Sequence, residues 1–367
     1  MGRRATVESR RITDILIHME GHAPQLNIGP VAKTPLWLRV LLLLALILAL
    51  GSILQFLVLA CIRLAYPFEL EWMEGASIDQ IRWIMQGKTL YDAPSVSFIP
   101  AFYNFLYYYV SAALMRVTGI GFVAPRLVSI LSTLGCFLML FLIVSRESKR
   151  PVAGFVAAGV YAAAFRFAGA WMDMSRTDSL CLFLVLAGFL VSQQYLNRWG
   201  MVVSALLYVL AYYTKQSALF IVLVIAPLSL VTSNWRTWFQ WAIVAVVGLG
   251  IFVALDTASG GWYSFYTFDM ATYRTHDQDI WFFWRSLISA MWPALMVTLL
   301  YAIANWQPIV ESPRRSGLWQ HLGLGCALLL STVLWRIFAI RTLTSRSACP
   351  ASRRSQPTDD KMALANR

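Results

Sequence analysis

Long apolar runs are the feature that most constrains this chain. A helix that crosses a bilayer needs about 17 to 25 mostly apolar residues. Runs of this kind lie near 38–61, 123–145, 152–172, 178–196, 216–232, 238–256, 286–305 and 318–340. A shorter run at 200–214 also counts as a span, because it has to connect its neighbours. The sequence therefore predicts an all-α, multi-pass membrane protein with about nine spans.

The composition agrees with this prediction. The chain of 367 residues is 59% hydrophobic and only 13% charged, whereas soluble domains usually carry about 25% charged residues. The net charge of +12 fits Lys and Arg in cytoplasmic loops better than nucleic-acid binding. The cysteines are too far apart for a disulfide framework or a zinc site. No nucleotide-binding or hydrolase motif is present, so we expect no nucleotide or redox cofactor.

Charge placement decides how the ambiguous segment 99–118 is interpreted. The segment is short and contains four tyrosines, a proline and an asparagine. If it crossed the membrane, the basic loop 145–150 would lie outside, against the positive-inside rule. We therefore predict two interface-lying helices, at about 75–86 and 101–117. The acidic-rich loops 63–122, 173–178 and 257–285 then share the external, periplasmic face of a plasma (inner) membrane.

The two ends of the chain are predicted to lie outside the transmembrane domain, which covers 36–340. Residues 1–35 are polar and predict a cytoplasmic tail. Residues 341–367 are rich in Ser, Arg and Pro and predict a disordered basic tail. Counting spans puts this basic tail outside, so either the last span is misjudged or the ending reflects a truncation or a frameshift.

A cluster of carboxylates opens the first external loop. Glu69, Glu71 and Glu74 lie within six residues, among apolar neighbours. Burial beside lipid would raise their pKa values, which suits a general base or a metal ligand. A solvated loop is the alternative, with Glu74 placed favourably at the start of a helix. These residues alone leave both interpretations open.

A second charged cluster separates two predicted spans. Asp173, Arg176 and Asp178 lie in it, and Asp173 or Asp178 could face the same external cavity as the glutamates. The alternative is local, because Ser175 and Asp178 have the spacing of a capping box. Arg176 would then be an ordinary ion-pair partner.

Two further clusters carry cations. Lys215, followed by Gln216, lies between two short apolar runs, where a lysine either pairs, snorkels or meets a phosphate. Arg274 and His276 lie in an aromatic-rich loop that suits either a sugar and phosphate site or an interface belt. Carboxylates and cations on one face are the groups needed to activate a hydroxyl and stabilise a phosphate leaving group.

Several short motifs resemble one enzyme superfamily. In order along the chain, segments 71–75, 87–91, 98–109, 176–179 and 214–216, together with Arg126, resemble GT-C glycosyltransferases. The closest groups are the family 39-type protein-mannosyltransferases and the aminoarabinose-transferase-like enzymes. The resemblance covers roughly residues 36–300.

The resemblance implies transfer of a sugar from a polyprenyl-phosphate donor to a lipid, glycan or protein acceptor. An acidic residue of the first loop would be the base or would hold a divalent metal ion. The family often has Asp-Glu where this chain has Met73 and Glu74, so Glu74 or Glu71 would take that role. The expected catalytic residues are Glu74, Glu71, Asp178 and Asp173, with Glu71 and Glu74 as metal ligands. The expected substrate contacts are Lys215, Arg126, Arg176, Arg274, His276, Gln216 and Tyr103.

Two other interpretations stay open. A transporter or flippase of lipid-linked substrates would need ionisable residues at the middle of the membrane, and often inverted repeats. The acidic residues of this chain lie instead at the ends of predicted spans. An inactive, truncated relative of the glycosyltransferases would keep the motifs but not the activity.

Overall fold

The computed structural model describes residues 35–270, apart from 101, 196 and 233–236, and isolated helical residues between 285 and 328. The predicted tails and most of the predicted spans 286–305 and 318–340 therefore lie outside the described residues. The chain divides into two compact units, 1–44 and 45–367. Of the first unit, only the residues that begin the first long helix are described.

The described part of the chain is helical, without a β-strand. Its helices, in chain order, are α1 (Leu36–Leu64), α2 (Trp72–Met85), α3 (Leu106–Thr118), α4 (Val123–Ser148), α5 (Pro151–Ala163), α6 (Asp178–Gln194), α7 (Arg198–Thr214), α8 (Ala218–Thr232), α9 (Thr237–Ala258) and the single turn α10 (Trp262–Ser264). A π-helical turn, Phe265–Met270, follows α10 directly.

Three of these helices, α1, α4 and α9, are long and apolar enough to cross a membrane. Helices α5 and α6 and most of α8 are also apolar but shorter. The chain thus has the composition and the helices of a membrane protein, whereas the predicted count of nine spans is not confirmed. The prediction for 152–172 is wrong in its second half, because α5 ends at Ala163 and turns follow to residue 170.

Helices are present at both predicted positions, as α2 and α3, while their place in the membrane interface stays a prediction. Helix α3 has 13 residues, which corresponds to about 20 Å and is shorter than the hydrocarbon core of a bilayer. Its faces differ, since Tyr107 and Tyr108 are buried while Tyr109 and Val110 are exposed. The helix therefore has the length and the two-sided character expected of an element that lies along a surface.

Helix α4 lies at the centre of the described bundle and packs against α3, α5 and α6, while α7 packs against α6, α8 and α9. Small residues allow close approach of helices. A Cβ atom on Gly159 of α5 would clash with Ala49 of α1. Phe56 of α1 contacts the edges of Phe137 and Phe165. This packing brings the end of α1, the start of α2 and the start of α4 together.

Candidate functional site

A buried ion pair joins the first loop to α4. Arg126 and Glu74 are both fully buried. Two parallel hydrogen bonds connect them, from Nε of Arg126 to Oε1 of Glu74 at 2.9 Å and from Nη2 to Oε2 at 2.7 Å. This bidentate geometry is the strong form of an arginine–carboxylate contact.

Every hydrogen-bonding site of the Arg126 guanidinium is used. Besides Glu74, it donates to the carbonyls of Arg63 at 2.9 Å, Tyr66 at 2.5 Å and Phe68 at 2.7 Å. Because arginine has five N–H donors, none is left for a substrate. Arg126 therefore fastens the end of α1 and the loop after it to α4, and as a phosphate contact it would first have to leave these partners.

The Glu74 carboxylate is equally saturated. In addition to Arg126, its oxygens accept hydrogen bonds from the backbone N–H groups of Leu70 at 2.7 Å and Ser175 at 3.0 Å. Burial raises the pKa of Glu74, but these hydrogen bonds and the charge of Arg126 outweigh that effect and bring the pKa below its ordinary value. A buried, fully bonded carboxylate with a lowered pKa suits a structural role better than that of a general base.

Asp173 also takes part in a buried pair. Its Oδ1 accepts a hydrogen bond from Nη1 of Arg63 at 2.9 Å, and its side chain is fully buried. Burial raises the pKa of Asp173 above its ordinary value although the charge of Arg63 opposes it. Arg63 was not among the predicted site residues, because one basic residue at the end of an apolar helix is also typical of an interface cation.

A second, more accessible network joins residues from three motifs. Nη1 of Arg176 lies 3.3 Å from Oε2 of Glu71, and its Nε lies 3.2 Å from Oδ2 of Asp178. Nζ of Lys215 lies 2.5 Å from Oδ1 of Asp178. The residues thus form a chain of alternating charge, which we call the charged network: Glu71, Arg176, Asp178 and Lys215.

The charged network differs from the buried pairs in its accessibility. The side chain of Asp178 is 37% exposed, that of Lys215 22% and that of Glu71 18%. Burial lowers the pKa of Lys215, but the neighbouring Asp178 carboxylate more than offsets this, so the pKa lies above its ordinary value and the side chain stays charged. Substrates could therefore reach opposite charges that are already held in place.

Local helix-capping chemistry gives Glu71 its position. Glu71 is the N-cap of α2, and its Oε2 accepts a hydrogen bond from the backbone N–H of Met73 at 3.1 Å. Both contacts of the carboxylate, to Met73 and to Arg176, use Oε2. Within the described part of the chain, Oε1 of Glu71 makes no hydrogen bond. This oxygen is therefore the one that remains available for proton transfer.

The predicted capping box at the start of α6 is not formed. The N-cap is Thr177, which makes no capping hydrogen bond with its side chain. Asp178 is engaged by Arg176 and Lys215 instead. Two ion pairs at the surface of the bundle thus replace the local contact that the Ser175–Asp178 spacing suggested.

Aromatic and amide side chains connect the charged network to the segment before α3. Nζ of Lys215 lies 5.3 Å from the centre of the Tyr103 ring. Nε2 of Gln216 donates to the carbonyl of Phe102 at 2.6 Å. Asn104 is fully buried and donates to the carbonyl of Tyr212 at 2.5 Å. Gln216 therefore fixes the residue before Tyr103, and Asn104 fixes the residue after it.

A cavity of about 430 Å³ lies close to this segment. Its lining includes Tyr91, Asp92, Phe105 and Tyr109. Residues of the charged network do not line it, but the Tyr91 hydroxyl donates to the carbonyl of Tyr103 at 2.8 Å. Aromatic rings with a carboxylate suit a polar ring-shaped ligand, and the volume is that of a small-molecule site.

The expected divalent metal is not supported by the described donors. Among the described residues, no group of three His, Cys, Asp or Glu side chains is arranged to hold a metal ion. Oxygens of Glu74 and Asp178 are already paired with cations. Arg274 and His276 lie outside the described residues, so their roles stay predictions.

No protein-family model, curated protein or solved structure matches this chain.

Proposed function

We propose that this protein is a membrane glycosyltransferase that moves a sugar from a polyprenyl-phosphate donor to a hydroxyl acceptor at the external face of the membrane. The observation that carries the proposal is the charged network. Glu71, Asp178 and Lys215 lie in three motifs that resemble GT-C enzymes, are distant in sequence, and belong to one chain of ion pairs.

Glu71 is the preferred base. Its free Oε1 takes the proton of the acceptor hydroxyl while the hydroxyl oxygen bonds to the anomeric carbon of the sugar. The bond from that carbon to the phosphate oxygen breaks, and the lipid phosphate leaves with the electron pair. Glu74 lacks a free oxygen, so its contribution is to hold the loop in which Glu71 lies.

Arg176 and Lys215 are the preferred contacts for the phosphate. Arg176 also lies against the Trp171 ring, with its guanidinium 4.0 Å from the ring centre, which limits the directions it can take. When Glu71 becomes protonated, its attraction for Arg176 weakens just as negative charge develops on the leaving phosphate. Preorganised cations that meet developing charge are usually a large part of catalysis.

The position of the charges favours an enzyme over a transporter. Glu71 caps the start of α2, Asp178 begins α6, and Lys215 follows the end of α7. Transporters usually need ionisable groups near the middle of the membrane. The flippase alternative therefore has less support, because these charges lie at helix ends.

The test is transfer by membranes that contain the protein. Membranes are incubated with polyprenyl-phosphate mannose or aminoarabinose labelled in the sugar, and the labelled product is measured. We expect Glu71→Gln to reduce the initial rate by about 100-fold or more, since loss of a general base typically removes 10²- to 10⁴-fold.

The matched control is Glu147→Gln, which makes the same chemical change at an exposed residue near the end of α4. Its rate should equal that of the wild type. The melting temperature of each purified variant shows whether it is folded. Equal transfer by Glu71→Gln and wild type would refute the assignment of Glu71, and no transfer from either donor by wild type would count against the proposed function.

A further inference from the structure

A second cleft lies apart from the charged network, between the end of α2 and one face of α3. Its volume is about 360 Å³. Tyr109, Ala112, Ala113 and Arg116 line it from α3, at the spacing of one helical stripe. Ile84, Gly87 and Lys88 line it from the end of α2 and the turn beyond. The two alanine side chains are small enough to leave the cleft open, and Lys88 and Arg116 give it positive charge.

The turn after α2 determines where Lys88 lies. Gly87 has φ = +73°, a left-handed conformation that L side chains rarely adopt, and its N–H donates to the carbonyl of Ile84 at 2.9 Å. The turn places Nζ of Lys88 3.8 Å from the centre of the Trp83 ring, and Trp83 is stacked on Phe98 at 4.1 Å. Lys88 is thus positioned by packed aromatic rings.

Among the described residues, no carboxylate neutralises the two cations of the cleft. Within the described part of the chain, neither Lys88 nor Arg116 forms an ion pair, in contrast to Arg63, Arg126 and Arg176. Both cations lie near the ends of helices, where a positive charge is favourable by itself. The helix-end effect would favour each cation separately and does not explain why both lie in one cleft. Their position in the same cleft therefore indicates a bound anion.

The surroundings of the cleft indicate what carries the anion. Next to the stripe that lines it, α3 exposes Val110 and, at its end, Val117, which is 85% exposed; Ile120 beyond the helix is 60% exposed. Apolar side chains beside cations are typical of a helix at a lipid surface. There the acyl chains contact the apolar side chains, and the phosphates contact the cations.

We propose that this cleft binds the phosphate of an anionic membrane phospholipid. Lys88 and Arg116 contact the phosphate, with Arg116 able to donate two parallel hydrogen bonds. The exposed valines contact the acyl chains. This inference requires only that the chain is embedded in a membrane, so it stands or falls independently of the glycosyltransferase proposal.

The experiment uses the full-length protein in detergent. Short-chain phosphatidylglycerol, short-chain phosphatidylcholine and inorganic phosphate are titrated in separate arms, and bound ligand is followed by native mass spectrometry. The wild type should bind phosphatidylglycerol at least tenfold more tightly than phosphatidylcholine. Each of Lys88→Gln and Arg116→Gln should weaken phosphatidylglycerol binding about fivefold and the double variant about 25-fold, from about 1 kcal/mol per basic residue.

Arg82→Gln is the matched control, because Arg82 lies on α2, is half-exposed, and does not line the cleft. It should bind phosphatidylglycerol like the wild type, and all variants should have similar melting temperatures in detergent alone.

Wild-type binding by the double variant would overturn the proposal, as would an equal loss in Arg82→Gln. Inorganic phosphate that binds as tightly as phosphatidylglycerol would overturn it too, because the acyl chains would then contribute nothing. If one single variant fails to fold, the other is decisive, because each substitution is expected to weaken phosphatidylglycerol binding about fivefold by itself.

Discussion

Replacement of Glu74 by glutamine separates the structural role of this residue from a catalytic one. Glutamine has nearly the same size, so it fits the same space between Arg126 and Ser175. It keeps one carbonyl oxygen, which can accept two of the four hydrogen bonds that Glu74 accepts now. Its NH₂ group would replace the other oxygen and would therefore face two N–H donors. One donor belongs to Arg126, and the other is the backbone N–H of either Leu70 or Ser175.

The magnitude follows from those contacts. Two hydrogen bonds to a charged group contribute about 1.5–3 kcal/mol each. Removal of one partner from a buried ion pair usually costs about 3–5 kcal/mol, because the other charge stays buried without compensation. We therefore expect Glu74→Gln to lower the free energy of unfolding by about 3–5 kcal/mol.

The assay is reversible denaturant unfolding in detergent, followed by far-UV circular dichroism. Glu147→Gln is again the control, and an exposed substitution of this kind should change the free energy by less than about 0.5 kcal/mol. Arg126→Gln and the double variant complete a double-mutant cycle, in which a coupling energy above about 2 kcal/mol is expected. A Glu74→Gln protein within 1 kcal/mol of wild type, or a coupling energy near zero, would refute the reasoning.

The same pair predicts a direction for the pH dependence. The pKa of Glu74 is lower in the folded protein than its ordinary value of 4.5. Its contribution to stability is therefore fully present above about pH 4.5 and is lost as the pH falls through the folded pKa. The wild type should lose stability over this acid range more steeply than Glu74→Gln, and parallel curves would contradict the assignment.

Two further predictions concern the charged network and the helix packing. Lys215→Gln should reduce the rate of sugar transfer by about 100-fold and change the free energy of unfolding by less than about 1 kcal/mol, because its pair with Asp178 is partly exposed; an unchanged transfer rate would contradict this. Gly159→Ala should lower the melting temperature, because the added Cβ clashes with Ala49. Gly248→Ala, with open space around it, should leave the melting temperature unchanged or raise it, and equal effects of the two substitutions would count against the close approach of α1 and α5.

Run length and residue periodicity predicted much of the helical layout. The apolar runs predicted α1, α4, α6, α8 and α9 close to their observed ends, because the spacing of apolar residues is a local property of the chain. Helices also formed at both positions predicted for the interface, while their place at the interface stays a prediction. The end of α5 was not predicted, since the run 152–172 stays apolar beyond the point where the helix stops.

Local patterns in the chain were enough to predict the helical class of this protein, its membrane-like composition, and the charged motifs from which a site could be built. The partners of those charges became known from the helix packing alone. It assigned the saturated contact with Arg126 to Glu74 and the free oxygen to Glu71, although the two glutamates lie three positions apart. The paired residues lie far apart along the chain. Glu74 meets a residue of α4, and Asp178 meets Lys215 only because α6 packs against α7, so the partner depends on helix packing, which local sequence patterns do not encode.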